Sequence, residues 1–85
     1  MEKIIVYITF ACPNCVTLKE LLTKFGLEFA GKNMRSAEGS ADLFANEVYA
    51  QSAPILRLGD VFYVNLTDAG KLDIPKVKSI LGLEV

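Results

Sequence analysis

The sequence predicts an α/β fold in which a four-stranded mixed sheet, flanked by helices, forms the middle of a three-layer sandwich. A five-residue apolar run near the N-terminus, Ile4-Ile5-Val6-Tyr7-Ile8, is typical of a central strand that is covered on both faces. Three further segments carry apolar residues at three- and four-residue spacing, which indicates amphipathic helices. Two β-rich runs separated only by Gly59-Asp60 predict an antiparallel hairpin.

The first strand ends at Ile8, and a helix is expected to follow it closely. Pro13 suits the first helical position, because it has no N–H to lose and its φ angle is already helical. Cys12 is therefore expected to be the N-cap of this helix, and Gly26 lies just past its end. The buried face is predicted from the apolar residues that recur at helical spacing: Cys15, Leu18, Leu21, Leu22 and Phe25.

A second strand and a second helix are predicted from weaker patterns. Residues 27–32 alternate apolar with polar or small side chains, which indicates a short strand with one face in water. Ser36 or Ser40 can cap a following helix at about residues 38–50. Its buried stripe is expected to contain Leu43, Phe44 and Val48, with Gln51 at its end.

The C-terminal part contains the hairpin and a last helix. Ser52-Ala53-Pro54 ends the second helix and leads into strands at residues 55–58 and 61–64, joined by a type II′ or I′ turn. Residues 66–72 are predicted to be a connector. Asp73 is a suitable N-cap for a helix that ends at Gly82 and buries four apolar residues: Ile74, Val77, Ile80 and Leu81. The predicted order is thus β-α-β-α-β-β-α.

Composition and charge narrow the classes of function. The chain has 85 residues, of which 52% are apolar, and we expect one domain, 1–85, whose core needs neither metal nor disulfide. The net charge is −1, and the lack of a basic stripe argues against nucleic acid and anionic membranes as partners. The apolar runs are too short for a signal peptide or a membrane span. We therefore expect a cytoplasmic protein, and we separately expect it to be a monomer.

Cys12 and Cys15 are the candidate catalytic residues. The first turn of a helix has unpaired N–H groups and about half a positive charge, which stabilise a thiolate, and cysteines in such positions have pKa values of about 3.5 to 7.5. Cys12 is therefore the predicted nucleophile. Cys15 lies one turn inward on the same face, close enough for a reversible disulfide. Of their neighbours, Phe10 is expected to pack in the core rather than to form an apolar lip beside Cys12 that meets partners. Lys19 is expected to be a solvated helix charge rather than a group that lowers the thiol pKa.

Two other interpretations of the cysteine pair stay open. A purely structural disulfide of this size would contribute only about 2 kcal/mol, against about 3 kcal/mol for a 15-residue loop. A metal site is the second interpretation. Two cysteines fill half of a tetrahedral shell and the chain has no histidine, so zinc would need a second chain. Cu(I) is the metal that two soft thiolates would hold in a small carrier.

Cys12-Pro13-Asn14-Cys15 after the first strand, together with Ser52-Ala53-Pro54 before the hairpin, resembles the thioredoxin-like fold and its short glutaredoxin-like members in particular. The resemblance implies a cis Ala53–Pro54 bond beside the thiols, with the Ala53 backbone open to an extended substrate; the alternative is a trans proline that merely ends a helix. It implies substrate-binding roles for Pro13, Asn14, Ala53 and Pro54. It further implies a dithiol–disulfide oxidoreductase of electron transport and cell redox homeostasis, which reduces protein or small-molecule disulfides and binds no cofactor.

Two departures from glutaredoxins leave the reductant open. Glutaredoxins commonly carry a lysine shortly before the first cysteine, where this chain has Thr9-Phe10-Ala11, and a Gly-Gly pair with acidic residues after the last strand, where it has residues 65–70. The external reductant is therefore either glutathione or a thioredoxin-reductase-type flavoenzyme. The rival functions are a Cu(I) carrier of ferredoxin-like β-α-β-β-α-β order, an iron–sulfur-bridging dimer and an inactive interaction module.

Overall fold

The computed structural model describes residues 3–49 and 53–83. In this part of the chain the elements are β1 (Ile4–Ile8), α1 (Pro13–Lys24), β2 (Ala30–Asn33), α2 (Ala37–Ala45), β3 (Ile55–Leu58), β4 (Val61–Tyr63), β5 (Thr67–Asp68), β6 (Lys71–Leu72) and α3 (Ile74–Leu81). None of these helices is both long enough and apolar enough to cross a bilayer. The order agrees with the prediction apart from the short strands β5 and β6.

β1 lies inside a four-stranded sheet of order β2-β1-β3-β4. It pairs in parallel with β2 and antiparallel with β3, and β3 and β4 form the predicted antiparallel hairpin. In this hairpin Leu58 lies opposite Val61. Gly59 has a φ of +58° while Asp60 is not left-handed, so the turn is type II′ rather than I′. The predicted mixed sheet is confirmed.

Helices cover both faces of the sheet, because the inner strands bury both sets of their alternating side chains. On one face a hydrophobic cluster joins the sheet to α1 and α3; it includes Val6, Leu56, Leu18, Leu22 and Val77. On the other face a second cluster joins the sheet to α2; it contains Ile5, Tyr7, Ile55 and Leu43. The result is the predicted three-layer sandwich.

β2 begins at Ala30 rather than at residue 27 as predicted. The reason lies at the end of α1, where Gly26 has a φ of +68°. The Gly26 N–H donates to the Thr23 carbonyl and the Leu27 N–H to the Leu22 carbonyl, each at 3.0 Å. This is the pattern of a glycine-terminated helix cap. Leu27 therefore belongs to the cap and packs on the core before the strand begins.

α2 spans Ala37–Ala45 and is shorter than the predicted helix at residues 38–50. Ser36 is its N-cap, since the Ser36 Oγ accepts the Gly39 N–H at 3.0 Å. The helix ends early because Glu47 takes a left-handed φ of +59° and the Val48 N–H returns to the Leu43 carbonyl at 2.8 Å, as in a Schellman cap. The predicted helix end at residue 50 lies outside the described residues.

The side chains that α2 buries differ from the predicted stripe. Leu43 is 5% exposed, whereas Phe44 is 72% exposed. Successive residues of a helix are rotated by about 100°, so Phe44 points away from the face that Leu43 buries, and the prediction for Phe44 is wrong. Val48 packs against the cluster of Leu43 as expected, and Gln51 lies outside the described residues.

Residues 66–72 were predicted to be a connector, but they contain a two-stranded ribbon of β5 and β6. Its turn places Ala69 and Gly70 at φ angles of +52° and +79°, as in a type I′ turn. Leu66 before the ribbon is 1% exposed and Leu72 at its end is 8% exposed. Both leucines belong to the cluster that α1 and α3 share, so this segment is part of the core.

α3 begins and ends where it was predicted. The Asp73 Oδ1 accepts the Lys76 N–H at 3.1 Å, and Gly82 caps the other end with a φ of +70°. Ile74, in the first turn, is 39% exposed, so its predicted inward position is wrong. The later apolar residues pack against the core as expected: Val77, Ile80 and Leu81.

A charged network lies between the sheet and α2, around the hydroxyl of the buried Tyr7. This hydroxyl donates to the Asp42 Oδ2 at 3.1 Å and accepts from the Arg57 Nη1 at 3.2 Å. The Lys32 Nζ donates to the same Asp42 oxygen at 2.7 Å. The hydrogen bond from Lys32 lowers the pKa of Asp42, and burial raises the pKa of Tyr7. The network therefore favours the ionised form of Asp42.

Replacing Asp42 with asparagine is expected to lower the free energy of unfolding at neutral pH by about 1 kcal/mol. The free energy of unfolding of the variant is also expected to change less as the pH falls into the acid range. The pKa of Asp42 lies below its ordinary value in the folded state, so the unfolded chain takes up the proton more readily. The stabilisation is therefore complete above the unfolded-state pKa of about 3.9 and is lost as pH falls through the lower folded-state pKa.

Urea unfolding of the wild type and the Asp42→Asn protein between about pH 7 and about pH 2 measures this effect. Glu38→Gln is the matched control, because Glu38 also pairs with Lys32 but its side chain is 75% exposed. If the free energy of unfolding changed with pH in the same way in the wild type and in the Asp42→Asn protein, the lowered pKa of Asp42 in the folded state would be contradicted.

Candidate active site

Cys12 and the residues after it begin α1 close to the carboxyl end of β1. Cys12 is the N-cap, with an extended backbone at a φ of −112°, and Pro13 lies in the first helical turn, as predicted. The Cys12 carbonyl accepts the N–H groups of Cys15 and Val16 at 3.1 and 3.2 Å. The Cys15 N–H also donates to the Cys12 Sγ at 3.1 Å. A negative charge on that sulfur would thus meet a backbone donor and the positive end of the helix.

The sulfurs of Cys12 and Cys15 are joined in a disulfide, with the two Cα atoms 5.2 Å apart. This separation lies within the usual range for a disulfide. Cys12 is half-buried, while Cys15 is only 3% exposed. A reaction partner can therefore reach Cys12 but not Cys15.

An open groove of about 450 Å³ runs past the two cysteines. Phe10 and Val16 line it and are 92% and 56% exposed, so the expectation that Phe10 packs in the core is wrong. Between Phe10 and Cys12 the chain turns through Ala11, whose φ is +50°. This left-handed conformation costs a residue other than glycine about 1 kcal/mol or more. The turn leaves the aromatic ring on the surface beside the disulfide.

Ala53 and Pro54 lie at the same end of the sheet. The peptide bond between them is cis, as the resemblance implied, and Pro54 is buried while Ala53 is half-buried. Tyr7 of β1 lies opposite Ile55 of β3, so the register, continued by one residue, sets Pro54 opposite Ile8, which also lines the groove. The substrate-binding roles stay predictions for all four residues: Pro13, Asn14, Ala53 and Pro54.

The fold that carries this site has a counterpart among solved structures. A crystal structure of a mutant of the thioredoxin-like protein BC3987 matches the chain with a TM-score of 0.73, over 99% of this chain and 100% of that one. The fold is thioredoxin-like. Because the sequence identity is 21%, the likeness concerns the fold alone. No family model matches the sequence, and no curated protein does.

The thioredoxin-like fold differs from the fold that the rival copper carrier would need. A ferredoxin-like carrier has the order β-α-β-β-α-β, whereas here α2 separates β2 from β3. Within residues 3–49 and 53–83, no three side chains of His, Cys, Asp or Glu form a group that could hold a metal ion. The Cys-x-x-Cys pair of this chain is thus carried by a thioredoxin-like scaffold.

Asn14, between the two cysteines, ties the start of α1 to the ribbon of this thioredoxin-like fold. Its Nδ2 donates to the Gly70 carbonyl at 3.2 Å, and its Oδ1 accepts the Leu72 N–H at 3.0 Å. Sequence reasoning missed these contacts because the partners are backbone groups 56 and 58 residues away, which no residue type marks. Besides its predicted contact with substrate, Asn14 therefore positions the segment that contains the disulfide.

Replacing Asn14 with alanine is expected to lower the free energy of unfolding by about 1–2 kcal/mol, because two hydrogen bonds between distant segments are lost. The Leu72 N–H loses its acceptor, so its hydrogen exchange with solvent is expected to accelerate. Urea unfolding and amide exchange measure the two effects. Thr17→Val is the control, since the Thr17 hydroxyl donates to the Pro13 carbonyl of its own helix. An unchanged rate of amide hydrogen exchange at Leu72 in the Asn14→Ala protein would contradict the hydrogen bond between Asn14 and Leu72.

Proposed function

We propose that this protein is a dithiol–disulfide oxidoreductase that reduces protein or small-molecule disulfides with Cys12 and Cys15. One observation carries the proposal: a disulfide at the start of a helix exposes one sulfur to a groove and buries the other. The thioredoxin-like fold supports it as a scaffold. A structural disulfide has no need for an accessible sulfur beside an open apolar groove.

The reaction begins with the reduced pair. The Cys12 thiolate attacks one sulfur of the substrate disulfide, the substrate S–S bond breaks, and the leaving thiolate takes up a proton. Cys15 then loses its proton and attacks the Cys12 sulfur, which releases the second substrate thiol and forms the Cys12–Cys15 disulfide. The substrate gains two electrons and two protons in total, and the dithiol supplies the electrons.

The chain contains no histidine, so water, the partner or Cys15 must move the protons. The end of α1 supplies the electrostatic stabilisation of the Cys12 thiolate, with the Cys15 N–H as its nearest backbone donor. An external reductant, either glutathione or a thioredoxin-reductase-type flavoenzyme, returns two electrons to the oxidised pair. In this proposal the protein works in the cytoplasm as a monomer and needs no bound cofactor.

The test compares the two reductants directly. Reduction of insulin and of 2-hydroxyethyl disulfide is followed with glutathione plus glutathione reductase, and separately with a thioredoxin reductase plus NADPH. Turnover with at least one system is expected, and the faster system identifies the class of reductant. A Cu(I) titration in parallel tests the carrier alternative. Absence of turnover with both systems, although the Cys12–Cys15 disulfide is reducible by dithiothreitol, would overturn the proposal.

A further inference from the structure

The groove beside the disulfide contains a lysine that the mechanism above does not use. Among the described residues that line the groove, which include Cys12, Cys15, Phe10 and Val16, Lys19 alone carries a charge. The sequence suggested that Lys19 is a solvated helix charge, but its side chain is half-buried. A cation therefore lines a groove that is otherwise uncharged and that also contains the two cysteines.

Lys19 is held on the side of the groove that faces β2. It lies four residues after Cys15, and residues at this spacing share one face of a helix. The end of its side chain lies beside β2, since a Cβ at Gly31 would be 3.8 Å from the Lys19 Cε and 3.9 Å from its Nζ, an ordinary contact distance. Lys19 therefore extends from α1 towards the edge strand of the sheet.

No carboxylate of the described residues pairs with Lys19. The salt bridges in this part of the chain are made by Lys32 and Arg57, on the side of the sheet that faces α2. Lys32 pairs with Glu38 and Asp42, and Arg57 pairs with Asp42 and Asp60. The positive charge of Lys19 is therefore available to a molecule that enters the groove.

We propose that Lys19 is a specificity-determining residue that favours peptide disulfides with an acidic side chain near the half-cystine. This proposal rests on the proposed function. α1 rises about 1.5 Å per residue, so Lys19 lies about 10 Å along the helix axis from Cys12. An extended peptide covers that distance in about three residues. The carboxylate is then expected to lie about three residues from the sulfur that bonds to Cys12.

The experiment uses matched peptides, each joined through its cysteine to 2-mercaptoethanol as a mixed disulfide. One member of each pair has glutamate about three residues from the cysteine and the other has glutamine, with the residue placed before the cysteine in one pair and after it in a second. For at least one pair, the wild type is expected to prefer glutamate by about fivefold in kcat/KM, the size of one partly exposed ion pair. The difference is expected in KM, and added salt should reduce it.

Variants of α1 assign this preference to one residue. Lys19→Gln is expected to remove the preference, Lys19→Glu to reverse it and Lys19→Arg to retain it. Lys24→Gln is the matched control, because Lys24 is an exposed lysine in the last turn of the same helix. The Lys24→Gln protein should prefer glutamate over glutamine peptides as strongly as the wild type does. Equal rates for both members of each pair in the wild type, or a preference that survives in Lys19→Gln, would overturn the proposal.

A neutral substrate separates this proposal from the function on which it rests. If the wild type reduces 2-hydroxyethyl disulfide but does not distinguish glutamate from glutamine, only the role of Lys19 is wrong. If the wild type reduces neither the neutral disulfide nor the peptides, the proposed function fails as well.

Discussion

Replacing Cys12 with serine is expected to reduce disulfide turnover to the uncatalysed background, whereas replacing Cys15 with serine is expected to stop the reaction at a mixed disulfide. A serine hydroxyl at position 12 stays protonated and cannot form the S–S bond to substrate. Without the Cys15 sulfur, nothing within the chain displaces the substrate from Cys12. The two variants therefore fail at different steps, although they remove chemically identical groups.

Mass spectrometry of the proteins after incubation with a disulfide peptide distinguishes the two outcomes. The Cys15→Ser protein should carry one peptide on Cys12, and the Cys12→Ser protein should carry little, because Cys15 is 3% exposed. Thr17→Val, which retains both thiols, is the control for folding and turnover. Full activity of the Cys12→Ser protein, or an adduct that forms mainly on Cys15, would refute the order of the two steps.

The second large effect concerns stability. Replacing Leu66 with alanine is expected to lower the free energy of unfolding by about 2–5 kcal/mol, because Leu66 is 1% exposed and its loss leaves a cavity between the sheet, α1 and α3. A chain of this size has a total stability of only about 4–13 kcal/mol. The Leu66→Ala protein is therefore expected to unfold at a much lower urea concentration, and at the upper end of the range to be partly unfolded in buffer.

Phe44→Ala provides the comparison, because it removes a larger apolar side chain from a site that is 72% exposed. Its cost is expected to be about 0.5 kcal/mol or less. Urea denaturation followed by circular dichroism measures both variants. A larger loss for Phe44→Ala than for Leu66→Ala would contradict the burial described for the two residues.

These two residues also show how far the sequence alone could predict the fold. Apolar residues at helical spacing indicate that a helix has a buried face, but which of two adjacent apolar residues lies on it depends on how the helix packs against the sheet. Leu43 and Phe44 were both predicted to be buried, whereas α2 buries Leu43 and leaves Phe44, rotated by about 100° from it, exposed. Leu66 was placed in a connector, because no periodic pattern surrounds it and its burial depends on α1 and α3.

The features of the fold that were predicted correctly are local ones, which depend on residues close to each other in the sequence. Cys12 as N-cap, Gly59 in the hairpin turn and Asp73 at the start of α3 each follow from a few adjacent residues. The cysteine pair of the candidate site was predicted from a short motif as well, whereas the cis bond before Pro54 was implied by the resemblance to the thioredoxin-like fold. The contact of Asn14 with the ribbon and the place of Lys19 in the groove need the folded chain, because each brings together segments that are distant in sequence.

The two outer strands of the sheet are both short. β2 spans Ala30–Asn33 and contains Lys32, and β4 spans Val61–Tyr63. Because they are short, these edge strands offer few free backbone donors and acceptors to another molecule that would add its own strand. We therefore expect little lateral growth into fibrils, even at the millimolar concentrations of a spectroscopic sample.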